Sequence, residues 1–97
     1  MAEIVTSYVV EAKYVEGAAE KRAPYRKEHL ERIGKLEREG AVLVAGALAD
    51  MSASLMVLDV EYEESVKAIV ESDVYWRNGI WTDYSMRKLN RVVSDRS

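Results

Sequence analysis

Residues 41–48 (AVLVAGAL) and 53–61 (ASLMVLDVE) form two apolar runs of strand length, parted by little more than Asp50-Met51-Ser52. No other feature constrains the fold as tightly, because so short a link joins two strands most simply as an antiparallel hairpin. Gly40 and Asp50 bound the first run, and the small residues Ala45, Gly46 and Ala47 leave space beside its backbone. Side chains alternate across a strand, so both faces of this hairpin are apolar. Leu43 opposes Val42 and Val44, while Met56 and Leu58 oppose Leu55 and Val57. Both faces therefore have to be covered.

The flanking segments supply part of that cover. Residues 3–13 (EIVTSYVVEAK) read as a first strand, rich in β-branched and aromatic side chains. Ile4, Thr6, Tyr8, Val10 and Ala12 share one face; Val5, Ser7 and Val9 share the other. Residues 14–23 read as a loop around Gly17, with alanines that allow an early helical turn. Pro24 suits the first turn of a helix over residues 24–39, and Gly40 ends it. Lys27, Glu28, Glu31, Lys35 and Glu39 form its solvated side, with Glu31 and Lys35 in the favourable i, i+4 order. A second helix opens on the acidic stretch 61–64, carries the stripe Val66, Ile69, Val70, and stops near Ser72-Asp73. Residues 74–79 (VYWRNG) read as an aromatic loop or a single helical turn. Residues 81–89 (WTDYSMRKL) form a last strand, polar enough to be an edge, and residues 90–97 read as a polar tail.

The order β-α-β-β-α-β predicts a ferredoxin-like α+β fold, an antiparallel sheet with two helices on one face. The 97 residues make one domain, without repeat or linker. Two helices leave the second face bare, an apolar patch of several hundred Å². A second copy, sheet against sheet, covers it most economically, so the expected state is a homodimer with a barrel-like interior, open to higher assembly.

Composition removes several classes of function. Cysteine is absent, which excludes disulfides, thiol catalysis and cysteine-ligated metals and fits a cytoplasmic protein. One histidine cannot build a His-rich metal site within one chain. No apolar run reaches the roughly 18 residues of a membrane span, and no secretory signal is evident. The net charge of −3 argues against nucleic acid, as does the lack of a strand with clustered basic and aromatic residues.

That single histidine, His29, is the leading site candidate. On a helix, Tyr25, His29, Ile33 and Leu36 fall within roughly 80° of one another, which puts the ring in the apolar stripe. Burying it unpaired costs about 1–3 kcal/mol, so it needs a partner. It is either a structural residue satisfied in the core or a general acid/base, a role for which imidazole is suited near neutral pH. Asp73, followed by Val74-Tyr75-Trp76, is either a turn residue or a carboxylate that orients that ring. Ser54, at the start of the third strand, can donate into the same cavity. Tyr75, Trp76 and Trp81 line either a pocket or the core, and Asp50 and Asp83 are weaker carboxylate candidates. G-x-S-x-G, a glycine-rich phosphate loop, a dinucleotide fingerprint and H-E-x-x-H are all missing.

Arg26-x-x-His29-Leu30, the run 40–48 (GAVLVAGAL), Ser54-Leu55, and Ser72-Asp73-Val74-Tyr75 followed by Gly79 resemble, in order and spacing, the YCII (YciI-like) family. The resemblance spans most of the chain. It implies a ferredoxin-like fold assembled as a dimeric α+β barrel, and a site built on a His–Asp pair, here His29 and Asp73. Arg26, Ser54, Tyr75 and Trp76 would contact the substrate, without metal or other cofactor. Most family members have no assigned reaction. Relatives in the wider superfamily remove chloride from hydroxylated rings or isomerise lactones, which implies small oxygenated cyclic or aromatic substrates. Two positions depart from the family's usual Ala-Gly-Pro and Asp-Pro-Tyr, with Ala47 and Val74 in place of the prolines. Proline holds the preceding residue extended, so its loss is expected to loosen Asp73.

Three functions follow as expectations. The first is a cofactor-independent lyase, isomerase or dehalogenating enzyme that uses His29 and Asp73. The second is a non-catalytic dimeric small-molecule-binding or accessory protein, and the third is cofactor-free monooxygenation.

Overall fold

The structure, a computed structural model, describes residues 2–94. Strand β1 (Ala2–Tyr14) leads through a short helix α1 (Ala18–Lys21) and a 3-10 turn (Ala23–Tyr25) into helix α2 (Arg26–Arg38). The hairpin β2 (Val42–Ala47) and β3 (Ala53–Leu58) follows. Helix α3 (Glu63–Glu71), the single turn α4 (Val74–Arg77) and strand β4 (Trp81–Ser94) complete the chain. The four strands form one sheet in the order β2-β3-β1-β4, and every pairing is antiparallel. The expected β-α-β-β-α-β order and ferredoxin-like α+β class hold, with β4 at an edge.

Alternation along the strands places the core. Tyr8, Val10 and Ala12 of β1 and Met56 and Leu58 of β3 share a cluster with Val66 and Val70 of α3, Tyr75 of α4 and Trp81. Each large apolar side chain in it stabilises the fold by roughly 1.5–3 kcal/mol. Tyr25, Ile33 and Leu36 pack against this cluster from the helical side, and His29 is buried among them. The stripe read from sequence is therefore the inner face of α2.

Two glycines set where helices hand over to strands. Gly40 has φ 84° and Gly79 φ 70°, a left-handed conformation that glycine adopts without a Cβ penalty. After α2, Ala41 N–H donates to Leu36 O at 2.9 Å and Gly40 N–H to Glu37 O at 3.0 Å. After α4, Ile80 N–H donates to Tyr75 O at 2.8 Å and Gly79 N–H to Trp76 O at 3.2 Å. Both are Schellman stops. The second turns the chain at once into Trp81 and so fixes α4 beside the start of β4.

Three expectations need correction. The polar stretch 90–94 is not a tail: β4 runs to Ser94, and Ser94 pairs with Ala2. Its polarity reflects an exposed edge ribbon, since β3 reaches only as far along β1 as Tyr8. The remainder of the expected tail, residues 95–97, lies outside the described residues. The third strand stops at Leu58 rather than residue 61, and Asp59 N–H instead donates to Ala41 O at 2.8 Å. Finally, Val74 does not displace Asp73 from an extended backbone. Asp73 is extended at φ −71°, ψ 143°, the conformation a following proline would impose.

Candidate active site

His29 lies in the first turn of α2, and Asp73 caps the N-terminus of α4. Although 44 positions apart, they meet with Nδ1 of His29 2.8 Å from Oδ1 of Asp73. A carboxylate only accepts, so the arrangement assigns the proton to Nδ1 and leaves the lone pair on Nε2. The same Oδ1 accepts Tyr75 N–H at 2.9 Å, and Arg32 Nη1 donates to Oδ2 at 3.1 Å. Asp73 is fully buried. Three donors on its two oxygens offset the cost of holding its charge away from water.

Aromatic rings fix the imidazole. Tyr75 stacks on His29 with centroids 3.8 Å apart and planes 8° from parallel. Trp81 meets both edge-on, 5.4 Å from His29 and 5.6 Å from Tyr75. With one face covered and Nδ1 anchored, the ring has little rotational freedom. Its tautomer and direction are set before any ligand arrives, which is the role an aspartate plays in catalytic triads.

His29 also lines a pocket of about 180 Å³ between α2 and the β2–β3 hairpin. Leu30, Ile33, Ala47 and Met56 supply apolar wall, and Arg22, Arg26, Tyr14 and Tyr75 supply polar groups. Arg22 Nη1 donates to Tyr14 Oη at 3.4 Å. The Tyr75 hydroxyl is buried with no hydrogen-bond partner. Burial, and then Tyr14, push its phenol above the usual tyrosine range, against the pull of Arg22 and Arg26. Arg26 comes near enough to exert a slight hydrogen-bonding pull on it, short of a formed hydrogen bond.

Of the residues expected at the site, His29, Arg26, Ser54 and Tyr75 line this pocket. Asp73 sits behind His29 rather than in the wall. Ser54 spends its hydroxyl on Gly46 O at 3.3 Å. Trp76 is a correction: it packs edge-on against Tyr84 at 5.2 Å and does not line the pocket. On the single helical turn α4, neighbours Tyr75 and Trp76 point different ways. Asp50 holds the Ser52 N–H and hydroxyl of a local turn, and Asp83, an exposed residue of β4, accepts Tyr84 N–H. Arg22, Arg32 and Tyr14 escaped the sequence reading. Arg22, Arg26, His29 and Ile33 are spaced i, i+4, i+7, i+11, which would have put Arg22 on the same face. Among the described residues, no group of three or more His, Cys, Asp or Glu side chains could hold a metal ion.

The model of the YCII-related domain matches residues 6–90. The chain belongs to that family. Protein YciI of Escherichia coli O6:H1 is similar to this YCII-related chain, 27% identical over 95 residues, spanning 88% of this chain and 97% of the relative. Protein YciI of Shigella flexneri matches to the same extent. Among solved structures, 5-chloro-2-hydroxyhydroquinone dehydrochlorinase from Burkholderia phenoliruptrix AC1100, in complex with 2,5-dihydroxybenzoquinone, superposes with a TM-score of 0.73. It is 19% identical, and the match covers 84% of this chain and 90% of that one. That likeness establishes a shared fold. No helix among the described residues of the YCII-related chain is long and apolar enough to cross a membrane.

Proposed function

We propose that this YCII-related protein is a small enzyme that moves protons on a compact oxygenated ring, with His29 as general base and acid and Asp73 as its orienting carboxylate. The 2.8 Å contact between the two, at the wall of a pocket, carries this reading. Nε2 takes a proton from a ring hydroxyl or an acidic ring carbon. The freed electron pair moves into the ring, and the proton either returns to another atom, an isomerisation, or stays on Nε2 while a leaving group departs with its electron pair. Asp73 stabilises the imidazolium formed in between, and Arg32, on its other oxygen, holds that carboxylate in place. The pocket needs no bound group for such steps, because acid, base and anion-stabilising side chains all come from the chain. The structural neighbour, a dehydrochlorinase solved with a dihydroxybenzoquinone, supports a ring of this size.

A homodimer belongs to the same reading. Val9, Leu55 and Val57 are half-buried on the sheet face away from the helices, and Val44 beside them is 54% exposed. A second copy placed sheet to sheet would remove these side chains from water.

Turnover of hydroxylated and halogenated quinols and of unsaturated lactones tests the chemistry. His29→Ala and Asp73→Asn should each lower kcat/KM by about 10²–10⁴ on whichever substrate is found. Unchanged turnover in both would refute the acid/base roles. Tight binding without chemical change, surviving Asp73→Asn, would instead make the protein a small-molecule sensor.

A further inference from the structure

The pocket carries charge of one sign only. Arg22 and Arg26 line it, and no aspartate or glutamate does, although the chain as a whole is at −3. Beside them the Tyr75 hydroxyl is buried, with no partner within the protein. Tyr75 is itself 0% exposed and lines the pocket, so a pocket occupant is the partner its O–H is placed to meet. An orphaned buried donor of this kind costs stability unless a ligand or water takes it up. Its phenol is pushed upward by burial, which keeps it a donor across the neutral range.

We infer that the site selects a small ring bearing one anionic oxygen, a carboxylate or a phenolate-type oxyanion, held by the Tyr75 hydroxyl with Arg22 and Arg26. The inference rests on the pocket being the ligand site proposed above. Two guanidinium groups and a phenol with no competing carboxylate form a donor set for an oxyanion. Leu30, Ile33, Ala47 and Met56 add apolar wall, suited to a ring rather than to a bare inorganic anion. The volume of about 180 Å³ sets the size, since a cavity of roughly 150 Å³ admits benzene. With the oxyanion anchored there, charge that develops on the ring during proton removal by His29 spreads toward the same donors. The anchoring group then also stabilises the reaction's anionic intermediate. Tyr75 thereby has two separable jobs: its ring stacks on His29, and its hydroxyl reads the ligand's charge.

Binding measured by calorimetry and amide chemical-shift mapping on the whole protein tests this with four probes. Benzoate represents the carboxylate, 4-nitrophenolate the phenolate, benzamide the neutral isostere, and inorganic phosphate a charge without a ring. Benzoate, 4-nitrophenolate or both should bind at millimolar concentration or below, at least about tenfold more tightly than benzamide and phosphate. The visible band of 4-nitrophenolate reports directly whether the bound species is the anion. Tyr75→Phe keeps the stacked ring and removes only the orphaned hydroxyl. It should weaken the anions roughly tenfold or more while thermal stability stays equal or rises, an outcome that a purely structural Tyr75 would not give. Arg22→Gln with Arg26→Gln should abolish the preference over benzamide. Equal affinity for benzamide, equal affinity for phosphate, no binding of either organic anion, or a preference that survives Tyr75→Phe and both arginine changes would each overturn the inference. The two readings fail separately. Unchanged turnover in His29 and Asp73 variants removes the catalysis and leaves the anion site, whereas loss of anion preference removes the anion site and leaves the catalysis.

Discussion

Asp73 bears the largest local consequence of any side chain in the molecule. Its carboxylate ties α4 to α2 through His29 and Arg32 and caps α4 through Tyr75 N–H. Asp73→Ala should destabilise the fold by about 3–5 kcal/mol, because it leaves the buried His29 Nδ1–H and Tyr75 N–H unpaired. Arg32→Ala should cost much less, on the order of 1 kcal/mol, since that side chain is 27% exposed and water can replace it. Urea denaturation of both variants would show whether the costs rank this way. A second residue-scale prediction concerns alkaline pH. Tyr84, partly buried and hydrogen-bonded to Glu71 at 2.6 Å, is pushed up to about 12 by burial first and then by that contact. Its folded value lies above the ordinary tyrosine value of about 10, so the folded state holds the proton more tightly. The resulting stability is fully present below about pH 10 and is lost as pH rises through about 12. Tyr84→Phe should flatten that alkaline decline in a pH series of melting temperatures.

Among the elements, α4 shows how one backbone conformation can be fixed in two ways. Here the Asp73 cap and the Gly79 stop hold a single helical turn without proline. Because Asp73 is already extended and Val74 occupies the first helical position, Val74→Pro should be accommodated. It should stabilise the fold by about 0.4–1 kcal/mol by restricting the unfolded chain. A lower denaturation midpoint would show that Val74 packing, at 5% exposure, outweighs that gain. The strand residues 90–94 teach the opposite lesson about legibility. They alternate too weakly to announce a strand, and their partner, the start of β1, is more than eighty positions away in sequence. Backbone pairing to β1 organises them, and composition does not record it. By contrast, α2 was readable throughout, since its apolar stripe and Gly40 stop are local patterns.

For the whole molecule, the decisive feature is a sheet with one helix-covered face and one bare face. The ribbon of β1 and β4 beyond β3 stretches the protein to 46 × 26 × 23 Å. It carries Ile4 and Val92, cross-strand partners that are 64% and 68% exposed. Sedimentation equilibrium should find a dimer, and Val57→Lys, placed on the bare face, should shift it toward monomer without unfolding it. A wild-type monomer at micromolar concentration would contradict the sheet-to-sheet assembly.

By itself the sequence determined the antiparallel hairpin, the β-α-β-β-α-β order, the helix stops and the placement of His29 on a buried stripe. All of these follow from periodicity and turn chemistry within a few residues. It also nominated Asp73, but only as one of two readings. The tertiary structure alone decided that Asp73 reaches His29, that Arg32 completes the pair, that Trp76 faces away, and that Arg22, Arg26 and the Tyr75 hydroxyl converge. Those relations depend on how α2 and α4 dock on the sheet. Docking is set by the summed packing of side chains distant in sequence, which no local pattern encodes.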